Sequence, residues 1–102
     1  MNKIMAITKL KLNDENLLED WKVLSKKINE DLAGVDGFIS RDSACGEDGL
    51  VYCILKWESK AHQEKFQEYT LSRTDEEFKK LFAELGRIMN MENMTREFFE
   101  LL

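Results

Sequence analysis

Gly37-Phe38-Ile39-Ser40-Arg41-Asp42-Ser43-Ala44-Cys45, then Gly46-Glu47-Asp48-Gly49, then Leu50-Val51-Tyr52-Cys53-Ile54-Leu55 is the stretch on which the fold turns. The last run is rich in β-branched and aromatic residues, and the middle one is a cluster of turn formers, so the whole reads as strand, hairpin, strand. In the second strand Leu50, Tyr52 and Ile54 point one way and Val51, Cys53, Leu55 and Trp57 the other, so both faces are apolar.

Upstream, Lys3 to Leu12 alternates, with Ile4, Ala6, Thr8, Leu10 and Leu12 on one side and Met5 and Ile7 on the other, as a strand requires. Asn13-Asp14-Glu15 offers capping side chains and negative charge at a helix start. Leu17, Leu18, Trp21, Leu24, Ile28 and Leu32 then recur at helical steps until Gly34, a residue suited to a left-handed C-terminal cap. Downstream, Ser59 caps a helix to about Tyr69, and Thr74-Asp75-Glu76-Glu77 has the form of a capping box. Phe78, Leu81, Phe82 and Leu85 make the stripe of another helix, with a stop near Gly86 and a last strand over about Met91 to Phe99. The order β, α, β, β, α (in two pieces), β predicts an α+β, ferredoxin-like βαββαβ domain over residues 1–102, with a four-stranded antiparallel sheet and helices on one face. A sheet apolar on both faces needs a second cover, and the expected cover is another copy of the chain, giving a homodimer through the open sheet face.

Composition narrows the functional classes. The 102 residues fit one core, and the 43% hydrophobic and 34% charged content is that of a folded globule. A net charge of -5 disfavours nucleic acid as a partner. No window approaches a membrane-spanning run, and the N-terminal Met-Asn-Lys-Ile-Met-Ala-Ile-Thr-Lys-Leu reads as neither signal peptide nor anchor, so no membrane partner is expected. Cys45 and Cys53 are too few for a disulfide framework and read as free thiols in a cytoplasmic protein.

Gly37-Phe38-Ile39-Ser40, Gly49, Tyr52 and Trp57-Glu58-Ser59-Lys60-Ala61-His62 resemble the antibiotic biosynthesis monooxygenase family, with its "GF-x-S" segment, turn glycine, tyrosine-bearing strand and "W-x-S-x-x-A" running into a helix. The resemblance implies a dimeric α/β barrel, two ferredoxin-like sheets packed together, and oxygenation of polycyclic phenols or quinols by O₂ without flavin or metal. Other members degrade haem or act on quorum-signal derivatives. The Asn, Trp and His of the haem-degrading branch fall here at Thr8, Phe66 and Glu76, and none matches. Where the polyphenol-oxygenating branch has an Asn four residues before the shared tryptophan, this chain has Cys53.

The catalytic candidates are Trp57 and His62. Trp57 ends a buried strand and has two readings: packing at the end of the core, or an indole N–H donor aimed at a ligand. Histidine is the side chain that changes charge near neutrality, and His62, at the start of a helix, is either a proton shuttle or a solvated surface residue. Tyr52, Cys53, Phe66 and Tyr69 are the ligand-binding candidates, with Phe66 and Tyr69 on the helical side of His62 and suited to a flat aromatic or apolar molecule. No metal-ligand spacing, phosphate loop or Ser/His/Asp arrangement stands out, so neither cofactor nor metal is expected. Two functions remain: a cofactor-independent monooxygenase on a small phenol or quinol in an apolar pocket between sheet and helices, and a non-catalytic, dimeric small-ligand-binding or stress-related module.

Overall fold

The computed structural model describes residues 2–102. Strand β1 (Ile4–Leu12) leads through a 3₁₀ turn (Glu15–Leu17) into α1 (Leu18–Leu32). The hairpin β2 (Phe38–Cys45) and β3 (Val51–Trp57) follows, then α2 (Lys60–Ser72), α3 (Glu76–Ile88) and β4 (Met89–Glu100). The strands form one antiparallel sheet in the order β2-β3-β1-β4, the ferredoxin-like arrangement the sequence predicts.

Alternation along the two central strands decides which side chains are covered. Ile4, Ala6, Thr8 and Leu10 of β1 stand opposite Trp57, Leu55, Cys53 and Val51 of β3, and the helices pack on this side. Trp21 and Leu24 of α1, with Ile88 and Met89 at the α3–β4 join, close a core over Leu10, Val51 and Cys53. Leu32 closes a second cluster over Ile4 and Trp57. The opposite side carries half-buried Met5, Ile7, Tyr52 and Ile54 and, from β4, the more exposed Phe99. On β4, Phe98 stands opposite Ala6 and so faces the helical side.

Capping explains where the element ends depart from the sequence reading. Asp75, not Thr74, caps α3: its carboxylate accepts the Phe78 N–H at 3.1 Å. The helix does not stop at Gly86. Asn13, read from sequence as part of the first helix's cap, instead donates its side-chain amide to the Gly86 and Arg87 carbonyls at 3.1 and 2.9 Å. Its backbone N–H binds the Ile88 carbonyl at 2.8 Å. These bonds satisfy the carbonyls a helix end leaves orphaned, so α3 runs on to Ile88 and β4 starts at Met89 with no loop. The extra strand length is absorbed by a break in register between Lys9 and Lys11. Asp14 alone starts the first helical turn, accepting the Asn16 N–H at 2.8 Å.

Candidate functional site

At the end of β3 the chain turns into α2 through Glu58 and Ser59. Ser59 is the N-cap: its hydroxyl accepts the His62 N–H at 3.2 Å and sits 2.7 Å from His62 Nδ1. One hydroxyl therefore orders both the helix end and the imidazole. The ring folds back over Gly37, which takes φ +80°, and a Cβ there would fall inside the van der Waals envelope of His62 Cβ, Cγ and Cδ2. Gly37 also accepts the Glu58 N–H through its carbonyl, at 2.8 Å, tying the α1–β2 loop to the start of α2. The far nitrogen, Nε2, lies 3.7 Å from Asp36 Oδ2.

The imidazole stands at one side of a cavity of about 540 Å³ among the three helices. From α2 come His62, Lys65, Phe66 and Tyr69. Lys27 and Asp31 come from α1, Val35 and Asp36 from the following loop, and Glu77 and Leu81 from α3. Phe66 and Tyr69 lie 6.3 Å apart as an aromatic wall. Arg73, at the far end, lies over the Tyr69 ring at 5.8 Å and is gripped by Asp75 through two bonds of 2.9 and 2.8 Å. The guanidinium, helped by the Phe78 N–H, holds the Asp75 carboxyl at about 2, well below its ordinary 3.8.

The cavity's position corrects one expectation: among the described residues none of the sheet lines it, so it lies among the helices and not between sheet and helices. The physical reason is Trp57. Only 2% exposed, its ring is edge-on to Phe38 at 5.6 Å and tilted against Phe66 at 5.4 Å, filling the space between sheet and α2. Trp57 thus backs the aromatic wall from one layer below.

The six sequence candidates divide by place. His62, Phe66 and Tyr69 line one cavity, with Trp57 behind it. Tyr52 stands on the opposite face of the sheet, where its hydroxyl donates to Asp48 Oδ2 at 2.6 Å. That bond lowers the Asp48 pKa and raises that of Tyr52. Cys53 is buried against the helices, and burial pushes its thiol up despite nearby Arg41. It meets a separate set of groups, Ser43 and Arg41, at the edge of a second cavity.

The cluster that sequence reasoning missed is Ser59, His62 and Asp36. Ser59 and His62 were legible as a cap with histidine three residues on. Asp36 joins only because the α1–β2 loop returns to the helix start. The trio has the residue types of a nucleophilic relay, but Ser59 is 2% exposed and its oxygen already accepts a backbone N–H. Its work is to orient the imidazole. Among the described residues no three His, Cys, Asp or Glu side chains gather as metal ligands, and no helix is long and apolar enough to cross a membrane.

No family model matches the sequence, and no curated protein does. Solved structures do match, by shape. SnoaB, a cofactor-independent oxygenase from Streptomyces nogalater, superposes with a TM-score of 0.74 at 10% identity, over 100% of this chain and 95% of its own. This chain has the fold of the antibiotic biosynthesis monooxygenases. A Nitrosomonas europaea protein proposed to be an antibiotic biosynthesis monooxygenase gives 0.76 at 11% identity, covering 99% of this chain and 91% of that one. A conserved protein from Methanosarcina mazei gives 0.74 at 13%, over 97% and 92%. At such identities the shared property is the antibiotic biosynthesis monooxygenase fold, and the chemistry has to be argued from the cavity.

Proposed function

We propose that the protein is a cofactor-independent monooxygenase that binds a small phenol or quinol in the cavity among its helices. The observation that carries this reading is an oriented imidazole beside an aromatic wall in a space of about 540 Å³, within the range of small-molecule sites. The fold supports it, being that of a known cofactor-independent oxygenase.

In this reading the flat ring lies along Phe66 and Tyr69, with its hydroxyl toward His62. With Nδ1–H donated to Ser59, Nε2, which faces Asp36 at 3.7 Å and so beyond hydrogen-bond distance, takes the phenolic proton, and Asp36 stabilises the resulting imidazolium. Lys27 and Lys65 at the wall favour the phenolate, whose electron-rich ring carbon then adds O₂. The hydroperoxide loses water to leave a quinone, so one oxygen atom enters the product and the other leaves as water. Trp57 acts through Phe66, holding the wall in place. The protein works as a cytoplasmic homodimer joined through the open sheet face, where Met5, Ile7, Ile54 and Phe99 supply the apolar contact.

A second reading, a dimeric module that binds a small apolar ligand without turnover, is favoured by one observation. Both imidazole nitrogens of His62 already face protein groups, Ser59 and Asp36.

Oxygen uptake by metal-stripped protein over a panel of phenols and hydroquinones separates the two, run beside His62→Gln and Phe66→Ala. Uptake lost in His62→Gln and weakened in binding by Phe66→Ala supports the oxygenase. Ligand-dependent thermal stabilisation with no uptake supports the module. Equilibrium sedimentation at micromolar protein tests the dimer, and a single species of about 12.0 kDa would refute it.

A further inference from the structure

A second cavity, about 470 Å³ between α1 and β2, shares no lining residue with the His62 site. Arg41 reaches across it from β2. Its Nη1 donates to the Ser25 hydroxyl and the Asn29 side-chain oxygen, both at 2.7 Å, and to the Ser25 carbonyl at 3.2 Å. Nη2 approaches Cys53 Sγ at 3.6 Å. The guanidinium lies over the Trp21 ring at 5.7 Å, and that indole N–H is itself fixed by Ser43 Oγ at 3.0 Å.

Each of these neighbours is neutral. Among the described residues no carboxylate comes within ion-pair distance of Arg41, whereas Arg73 holds Asp75 and Arg87 holds both Asp20 and Glu84. Asp42, next in the chain, also lines the cavity, but it stands opposite Ile54 and Arg41 opposite Leu55, so strand alternation turns the two side chains apart and they form no ion pair. Cys53 supplies no counter-charge either, since burial keeps its thiol protonated. Half-buried cations ordinarily find a carboxylate, and a chain of net charge -5 has carboxylates to offer.

The neutral acceptors instead lock the orientation of the guanidinium. Nε–H has no acceptor among the described residues and Nη2 has only the long contact with Cys53 Sγ, so the Nε–Nη2 edge is the one that can offer an oxyanion two parallel bonds. Lys26, on the same cavity, adds positive charge and has no carboxylate within ion-pair distance among the described residues.

We infer that this cavity is an anion-binding site, in which the free edge of Arg41 takes the carboxylate or phosphate group of a small ligand. The site is independent of any oxygenase chemistry.

The test is an NMR titration of the intact protein with sodium phosphate and, separately, sodium acetate, each against sodium chloride at matched ionic strength. The Arg41 Nε–H and Trp21 indole N–H signals are followed. The expected result is a saturable shift with one of the two oxyanions, at a Kd in the millimolar range, weakened about tenfold or more in Arg41→Gln. The responding salt tells which group the site prefers. Lys26→Ala, which leaves the Arg41 bonds in place, should weaken binding about threefold and serves if Arg41→Gln does not fold. Shifts absent with both oxyanions, matched by chloride, or unchanged in these variants would overturn the inference and leave Arg41 as a stitch between α1 and β2.

Discussion

Gly37→Ala is the sharpest perturbation the structure offers, because one methyl group meets two separate obstacles. The backbone there has φ +80°, which costs an L side chain about 1–2 kcal/mol. The new Cβ also overlaps the His62 imidazole, so the ring must leave its seat. Leaving it breaks the contact with Ser59, a loss of about 1 kcal/mol, and repacks the mouth of the cavity. The sum is about 2–4 kcal/mol. Gly34 provides the control within the same loop: it has φ +86°, but its Cβ would meet nothing within 4 Å, so Gly34→Ala should cost only the backbone part. Thermal unfolding reads the difference at about 4–8 °C per kcal/mol for a domain of this size. At about 5 °C per kcal/mol, within that range, Gly37→Ala should fall by about 10–20 °C and Gly34→Ala by about 5–10 °C. Adding His62→Ala to Gly37→Ala removes the overlap with the ring atoms but keeps the Cβ at position 62 against the new methyl, so the double-mutant cycle should show a partial coupling of about 1 kcal/mol. Equal losses at the two glycines, with no coupling to His62, would refute the placement of the imidazole on which the proposed chemistry rests.

Trp57→Ala empties the space between sheet and α2 and should cost about 3–5 kcal/mol in urea unfolding, with Trp57→Phe markedly milder; equal effects would mean the indole is not packed as described. The Asp75 carboxyl sits below its ordinary value in the folded protein, so its stabilising contribution is complete above pH 3.8 and is lost as pH falls through about 2. In Arg73→Gln an NMR titration should find Asp75 moved back toward 3.8. Tyr52→Phe should likewise raise the Asp48 carboxyl, since the tyrosine hydroxyl is the main cause of its lowering. A thiol reagent should label exposed Cys45 quickly and Cys53 only after unfolding, and two fast thiols would contradict the burial of Cys53.

The antibiotic biosynthesis monooxygenase fold places His62 by the turn from β3 into α2, and the surroundings of that turn set what the residue does. The same Ser59 hydroxyl that any helix could use as a cap becomes an orienting group because the third residue on is histidine and not the glutamate of a capping box. The cavity is then walled by Phe66 and Tyr69 because Trp57 has closed the space beneath them.

The sequence by itself determined the order of elements and the face each strand residue occupies, because alternation and helical periodicity are local properties of the chain. It also marked Ser59 as a cap, and His62, Phe66 and Tyr69 as neighbours on one helix, since residues three and four apart must meet. Only the tertiary structure decided the rest. That Asn13 would cap α3 and carry it past Gly86 depends on partners 73 and 74 residues away, a separation with no periodic signature. Asp36 reaches His62, and Arg41 reaches Ser25 and Asn29, across elements whose approach is set by core packing. Alternation already set Tyr52 and Cys53 on opposite faces of the sheet, but one-sided helix packing decided which face is covered, putting the thiol in the core and leaving the phenol by the hairpin turn.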